Sequence, residues 1–412
     1  MVKNKVVLKA MLVTNVNALR NINFFIIKRL NHLIEQITSK NNIKEADDKA
    51  RLGKKSKKAI AWHDKHRDEH IVTLSHLLKA GTYKTSSYTK SRIFEPKKRI
   101  LFKLPYYPDR ITHHAILNIL EPIWTKIFIK NTYACIKGRG IHQLEKDLQR
   151  DLLLYSPKYC LKLDIRKFYP SINQNILKVL IRKKIKDKVL LKILDEIISS
   201  TETGVPIGNY LSQFFANLYL AYFDHWAKEV LKCKFYYRYA DDITILGNDK
   251  EELWTIFNKI KLYMSENLDL VIKDNYQIFP IDNRGIDFVG YKFYTNHVLL
   301  RKSIKRKVEK LENKYISHKI PKSLFLIHMQ SYFGWLKFCN SKNLLHDLQS
   351  KTLIKFSNWD GHRSTVFFLK EHNTKVVDLD THKKYIKVNF IYKHKPYYCN
   401  STNQKWIHQI EL

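Results

Sequence analysis

Two adjacent carboxylates, Asp241 and Asp242, lie between Tyr237-Arg238-Tyr239-Ala240 and Ile243-Thr244-Ile245-Leu246, two short runs of aromatic and β-branched residues. Runs of this kind form strands, and the polar break between them reads as a hairpin tip. A turn there aims both side chains at nearly one place. Two such carboxylates, joined by a third from elsewhere, are what holding two Mg²⁺ ions for phosphoryl transfer requires. An ordinary polar hairpin tip has the same local sequence, so the pair by itself does not decide the chemistry.

A third carboxylate is available in Leu161-Lys162-Leu163-Asp164-Ile165-Arg166-Lys167-Phe168-Tyr169-Pro170. Asp164 closes an apolar strand just before the chain turns, where sheets expose functional groups. An aspartate ending a strand is also a common turn or cap residue, so its value depends on what accompanies it.

The elements that must position these groups can be read from periodicity. Leu19, Ile22, Phe25, Ile26, Leu30, Leu33 and Ile34 recur at helical spacing and predict a mainly helical region over residues 1–80, interrupted by Lys54-Lys55-Ser56-Lys57-Lys58. Short β runs punctuated by Gly81, Pro96, Pro105 and Pro108 follow to residue 110. Helices are expected near 111–130, 174–200, 209–230 and 249–266, and strands at 159–165, 235–247, 269–279 and 286–299. From Lys302 to Leu353 the pattern is helical and basic, and the alternation Lys384-Tyr385-Ile386-Lys387-Val388-Asn389-Phe390 predicts a β-rich extension.

The 412 residues include 74 Lys+Arg against 38 Asp+Glu, a formal charge of +36 spread along the chain. That balance points to a polyanionic partner, nucleic acid first, although lysine-rich codon usage contributes to the count. The five cysteines, Cys135, Cys160, Cys233, Cys339 and Cys399, form no CxxC pair and read as reduced thiols in a cytosolic protein. No apolar run reaches membrane-spanning length, and the segment from Val6 to Val13 is interrupted by Lys9, so neither secretion nor membrane insertion is expected.

Asp164, then Thr203-Gly204-Val205-Pro206-Ile207-Gly208-Asn209-Tyr210-Leu211-Ser212-Gln213, then Tyr239-Ala240-Asp241-Asp242 occur in an order that resembles the palm motifs of reverse transcriptases. The resemblance extends upstream to Pro96-Lys97-Lys98-Arg99, Asp109-Arg110-Ile111-Thr112-His113-His114-Ala115 and Gly138-Arg139-Gly140, and downstream to Gly285-Ile286-Asp287-Phe288-Val289-Gly290-Tyr291. Within the superfamily it is similar to bacterial enzymes of diversity-generating retroelements and related antiphage-defence reverse transcriptases. There Ile207-Gly208 and Ser212-Gln213 stand where intron and retroviral enzymes usually carry Gln-Gly and Ser-Pro.

The resemblance implies an α+β right-hand polymerase: a helical basic N-terminal region over 1–80, fingers and palm over 81–300, a helical thumb over 301–354 and a β-rich extension over 355–412. It implies an RNA-directed DNA polymerase in which Asp164, Asp241 and Asp242 are catalytic and, with Ile165, form the metal set for two Mg²⁺ ions, with Mn²⁺ as the alternative ion. Lys98, Arg99 and Arg139 would contact nucleotide or template, Arg99 by forking two donors onto phosphate. Tyr169 would exclude a 2′-hydroxyl. Ile207, Gly208 and Gln213 would line the nascent pair, with Ile207 unable to donate the hydrogen bond of the usual Gln and fidelity lowered accordingly. Implied partners are an RNA template, the RNA/DNA duplex, dNTPs and an accessory protein or second copy, with no membrane. The setting would be a retroelement or, alternatively, antiphage defence with a noncoding RNA template. A scaffold with a silent palm is the reading from another class. His113 and His114 show no metal spacing and read as structural or as phosphate neighbours.

Overall fold

In a computed structural model, residues 29–54, 58–94 and 99–354 are described, together with four short strands beyond them. The chain divides into two compact units. One comprises residues 1–137, 162–244 and 254–276, and the other 138–161, 245–253 and 277–412.

In the first unit the helical region contains α1 (Leu33–Ile37), α2 (Lys40–Ala50), α3 (Lys58–Lys65) and α4 (Arg67–Lys79). Ser39 caps α2 by accepting from the Asn42 amide, and the buried Ile43, Ala46 and Ala50 turn its apolar stripe inward. Lys98 and the portion of the helical expectation before residue 29 lie outside the described residues. Strands β1 (Thr89–Ile93) and β2 (Arg99–Lys103) pair antiparallel from Thr89↔Lys103 to Ile93↔Arg99, as the β runs predict. Helix α5 (Ile111–Thr125) then packs on α2.

The sheet that carries the carboxylates is hydrogen-bonded in the order β4-β5-β3-β6, with β3 Tyr159–Asp164, β4 Phe235–Tyr239, β5 Asp242–Gly247 and β6 Gln277–Pro280. Only Ala240 and Asp241 join β4 to β5, and a connection this short admits only an antiparallel pair. Buried Leu161 and Leu163 alternate with half-buried Lys162 and Asp164, so the last two share a face. The expected helix over 174–200 is two, α7 (Gln174–Arg182) and α8 (Lys188–Ile198), because Asp187 caps the second through the Leu190 amide. Helix α9 (Tyr210–Glu229) is buried almost all round and packs on α5 and α7. The expected strand at 269–279 is mostly irregular: Ile272 makes an isolated bridge to Ile165, and regular pairing begins only at Gln277.

The second unit holds α6 (Ile141–Tyr155) and a three-stranded antiparallel sheet, β7 (Ile286–Phe288), β8 (Tyr291–Phe293) and β9 (Val298–Leu300). Three helices follow, α11 (Lys302–Ile316), α12 (Lys322–Leu336) and α13 (Lys342–Thr352); α10 (Lys250–Leu268), earlier in the chain, belongs mostly to the first unit. Val308, Phe325, Met329, Phe333, Leu336 and Leu348 form a core among these last three helices, so the aromatic run at Tyr332-Phe333 is used for packing. Phe356–Ser357 pairs with Phe368–Leu369, and Lys375–Val377 with Lys384–Ile386, both antiparallel. The described chain is thus α+β with antiparallel sheets. No described helix is long and apolar enough to cross a membrane.

Candidate active site

All of the following groups except Arg139 belong to the first unit. Asp164 is placed by the end of β3, and the chain beyond it is held by two main-chain bonds: Arg166 N donates to Val271 O and Lys273 N to Asp164 O, each at 2.8 Å. Asp241 is placed by the turn, where Ala240 has φ +55. The Asp241 carboxyl lies close enough to that of Asp164 to feel its charge. Burial first, and then the Asp164 charge, pushes the Asp241 carboxyl up to about 6.

Asp242 opens β5 and turns toward Lys162 on the adjacent β3, whose Nζ is 3.3 Å from its Oδ2. Lys273 Nζ donates to Asp164 Oδ2. Two lysines therefore flank three carboxylates, and both escape a motif reading. Lys162 was legible from alternation, two residues before Asp164 on one strand face. Lys273 was not, because the strand expected over 269–279 is irregular there and it is the isolated Ile165–Ile272 bridge that brings the lysine to Asp164.

Tyr169 is half-buried just beyond β3. Burial raises its phenol far above the usual range; the charges of Cys135 and Asp241 add to the rise, while those of Arg99 and Arg238 oppose it. The loop over 201–208 rests on it: Val205 N donates to Tyr169 O at 3.0 Å. A Cβ on Gly204 would lie 2.3 Å from that oxygen, and φ there is +61, so only glycine fits. Ile207, half-buried, accepts at its carbonyl from Phe102 N on β2 at 2.8 Å, and Gly208 follows with φ +112. Gln213 is half-buried in α9, and Arg99 is exposed at the start of β2. Ile165 is fully buried, so it could serve an ion only through its main-chain carbonyl. Arg139 belongs to the second unit, between Gly138 and Gly140. His113 is buried and held neutral, its imidazole lowered to about 4 chiefly by burial, which makes it a core residue.

Among the described residues no cluster of three or more His, Cys, Asp or Glu side chains has the closeness of a finished metal cage. The donor set nonetheless fits a divalent ion. Oδ1 of Asp164 is buried with no hydrogen-bond partner, and the neighbouring Asp241 carboxyl is one that a cation would return to its charged form.

Residues 89–293 match the family model described as reverse transcriptase (RNA-dependent DNA polymerase). They form a reverse transcriptase domain. This domain holds all three carboxylates, Tyr169 and the loop over 201–208. Relatives include the protein YkfC of Escherichia coli K12, 23% identical over 53% of this chain and 55% of its own length. The group II intron-encoded protein LtrA of Lactococcus lactis is 26% identical over 42% of this chain and 30% of its own. The retron Ec73 reverse transcriptase of Escherichia coli is 26% identical over 52% of this chain and 71% of its own. The chain thus spans about half the length of YkfC and less of LtrA. Among solved structures, a telomerase of Candida tropicalis is similar at 13% identity and a TM-score of 0.42, covering 66% of this chain and 58% of that one.

Proposed function

We propose that the protein is an RNA-directed DNA polymerase that copies a dedicated RNA into cDNA in the cytoplasm of a bacterium. The observation that carries this reading is the meeting of Asp164 and Asp241 inside the reverse transcriptase domain, with Asp242 on the same sheet. When bound there, divalent ions, Mg²⁺ by preference, would neutralise the triphosphate and lower the pKa of the primer hydroxyl. Asp164 and Asp241 would hold them, with Asp242 and the Ile165 carbonyl alongside. Tyr169 would stand under the sugar and Arg99 would meet the phosphates. The β1–β2 hairpin takes the part of fingers, the carboxylate sheet that of palm and α11 to α13 that of thumb.

The setting we favour is a diversity-generating retroelement with low-fidelity copying. Its support is Ile207-Gly208 in the loop that rests on Tyr169, together with Ser212-Gln213 in the first turn of α9. Such a role calls for a template RNA, an RNA/DNA duplex and an accessory protein.

Primer extension on an RNA template with Mg²⁺ and dNTPs tests the chemistry. Wild-type protein should extend the primer, and Asp241→Ala combined with Asp242→Ala should stop extension while RNA binding persists. Wild-type protein that binds RNA and extends nothing would instead indicate a scaffold with a silent palm. Sequencing the RNA and cDNA that copurify separates a retroelement template from a noncoding RNA used in antiphage defence.

A further inference from the structure

Arg238 is fully buried, yet a guanidinium does not shed its charge in a protein. Asp224, also fully buried, closes its forked edge: Nε donates to Oδ1 at 2.7 Å and Nη2 to Oδ2 at 2.5 Å. Asp224 accepts two further bonds, from the Tyr236 hydroxyl at 2.6 Å and the Thr132 hydroxyl at 3.0 Å. The remaining nitrogen, Nη1, donates to Asn217 Oδ1 at 3.2 Å and to the Ala240 carbonyl at 3.0 Å. Asn217 is itself anchored through Nδ2 to the Ala134 carbonyl at 2.8 Å. The main chain of Arg238 is tied on both sides as well, its N to Asn131 O and its O to Tyr133 N, each at 3.0 Å.

A buried ion pair adds little stability, since a well-packed apolar replacement is often neutral or better. What this pair supplies is a rigid point directly behind the turn. Ala240 has φ +55, a conformation its Cβ disfavours and that persists only where the surroundings over-determine it. The next residue is Asp241. We infer that Arg238, clamped by Asp224, is a positioning residue for the active site: by holding the Ala240 carbonyl it fixes the turn that sets Asp241 against Asp164. Its consequence for catalysis rests on the polymerase reading.

Arg238→Lys tests this, because one ammonium keeps a charge for Asp224 but cannot fork across to the Ala240 carbonyl. Mn²⁺ binding to the full chain, followed by electron paramagnetic resonance without substrate, gives a readout independent of turnover. With the fold retained, Mn²⁺ affinity should fall by between about tenfold and 100-fold, the usual effect of removing a group that orients a ligand. In primer extension the half-saturating Mg²⁺ concentration should rise and kcat should fall while the dNTP KM holds. A folded Arg238→Lys protein with wild-type Mn²⁺ affinity and Mg²⁺ requirement overturns the inference, as does wild-type Mn²⁺ binding no tighter than that of Asp241→Asn.

Should Arg238→Lys fail to fold, Arg238→Met with Asp224→Leu carries the same expectation. Failure of both to fold assigns the pair a structural role and also overturns it. Wild-type protein that extends no primer, with Mn²⁺ affinity still lowered in the variant, would sink the polymerase reading and leave the inference standing.

Discussion

The carboxyl of Asp241, carried on a two-residue turn, lies close enough to the carboxyl of Asp164 at the end of β3 for the Asp164 charge to raise its pKa. Two like charges this close, partly withdrawn from water, need a shared proton or a cation between them. Lys273 supplies one cation on Oδ2 of Asp164, and Oδ1 remains without a hydrogen-bond partner.

The pH dependence follows with a definite sign. Folded Asp241 holds its proton up to about pH 6, whereas the unfolded carboxyl titrates at 3.8. Its contribution to stability is therefore complete below pH 3.8 and is lost as pH rises through about 6. Thermal denaturation of the metal-free protein should show this decline, and Asp241→Asn should flatten it. Added Mg²⁺ should raise Tm above that window and have little effect below it.

Lys273→Met removes a positive charge that opposes the rise at Asp241. The acid limb of the rate profile should then move to higher pH, because Asp241 must ionise to hold an ion. An unmoved acid limb in single-turnover extension would rule out Lys273 as a contributor to that ionisation.

Gly204→Ala should destabilise the protein by about 2 kcal/mol or more, since the new Cβ meets main chain on both Tyr169 and Pro170 and φ is positive. Differential scanning calorimetry checks it. Gly138→Ala, where no atom lies within 4 Å of the Cβ, should show only the cost of the positive φ, about 1 kcal/mol.

Tyr169→Val should relax sugar choice. On the proposed reading the ring lies under the sugar, so shortening it would open the space a 2′-hydroxyl needs. The ratio of ribonucleotide to deoxynucleotide incorporation should rise roughly tenfold or more. An unaltered ratio with dNTP turnover preserved would make Tyr169 a packing residue.

On the proposed reading Ile207→Gln would supply a side-chain donor beside the nascent pair, while the main-chain bond from Phe102 to the Ile207 carbonyl needs no change. Misincorporation at template adenines should fall about fivefold, the worth of one hydrogen bond near 1 kcal/mol. Sequencing of cDNA made on a defined RNA measures it, and an unchanged error spectrum breaks the link between this residue and fidelity.

Much of this arrangement was legible in the order of residues. Alternation around Asp164 and between Tyr237 and Leu246 marked the strands, and the two-residue connection placed Asp241 at a tip, because both are local consequences of backbone geometry. The break between α7 and α8 was less legible, since it depends on Asp187 acting at once as a cap for α8 and as an acceptor for the Ile34 amide.

The sequence by itself determined which acids are present, their strand and turn positions, and a charge suited to nucleic acid. Tertiary structure alone decided that Asp241 faces Asp164, that Lys273 reaches Asp164 across the Ile165–Ile272 bridge, and that Arg238 lies buried behind the turn against Asp224. Periodicity encodes the face a side chain takes on its own element. Which distant side chain meets it, and how strongly burial raises its pKa, depends on packing between segments remote in sequence.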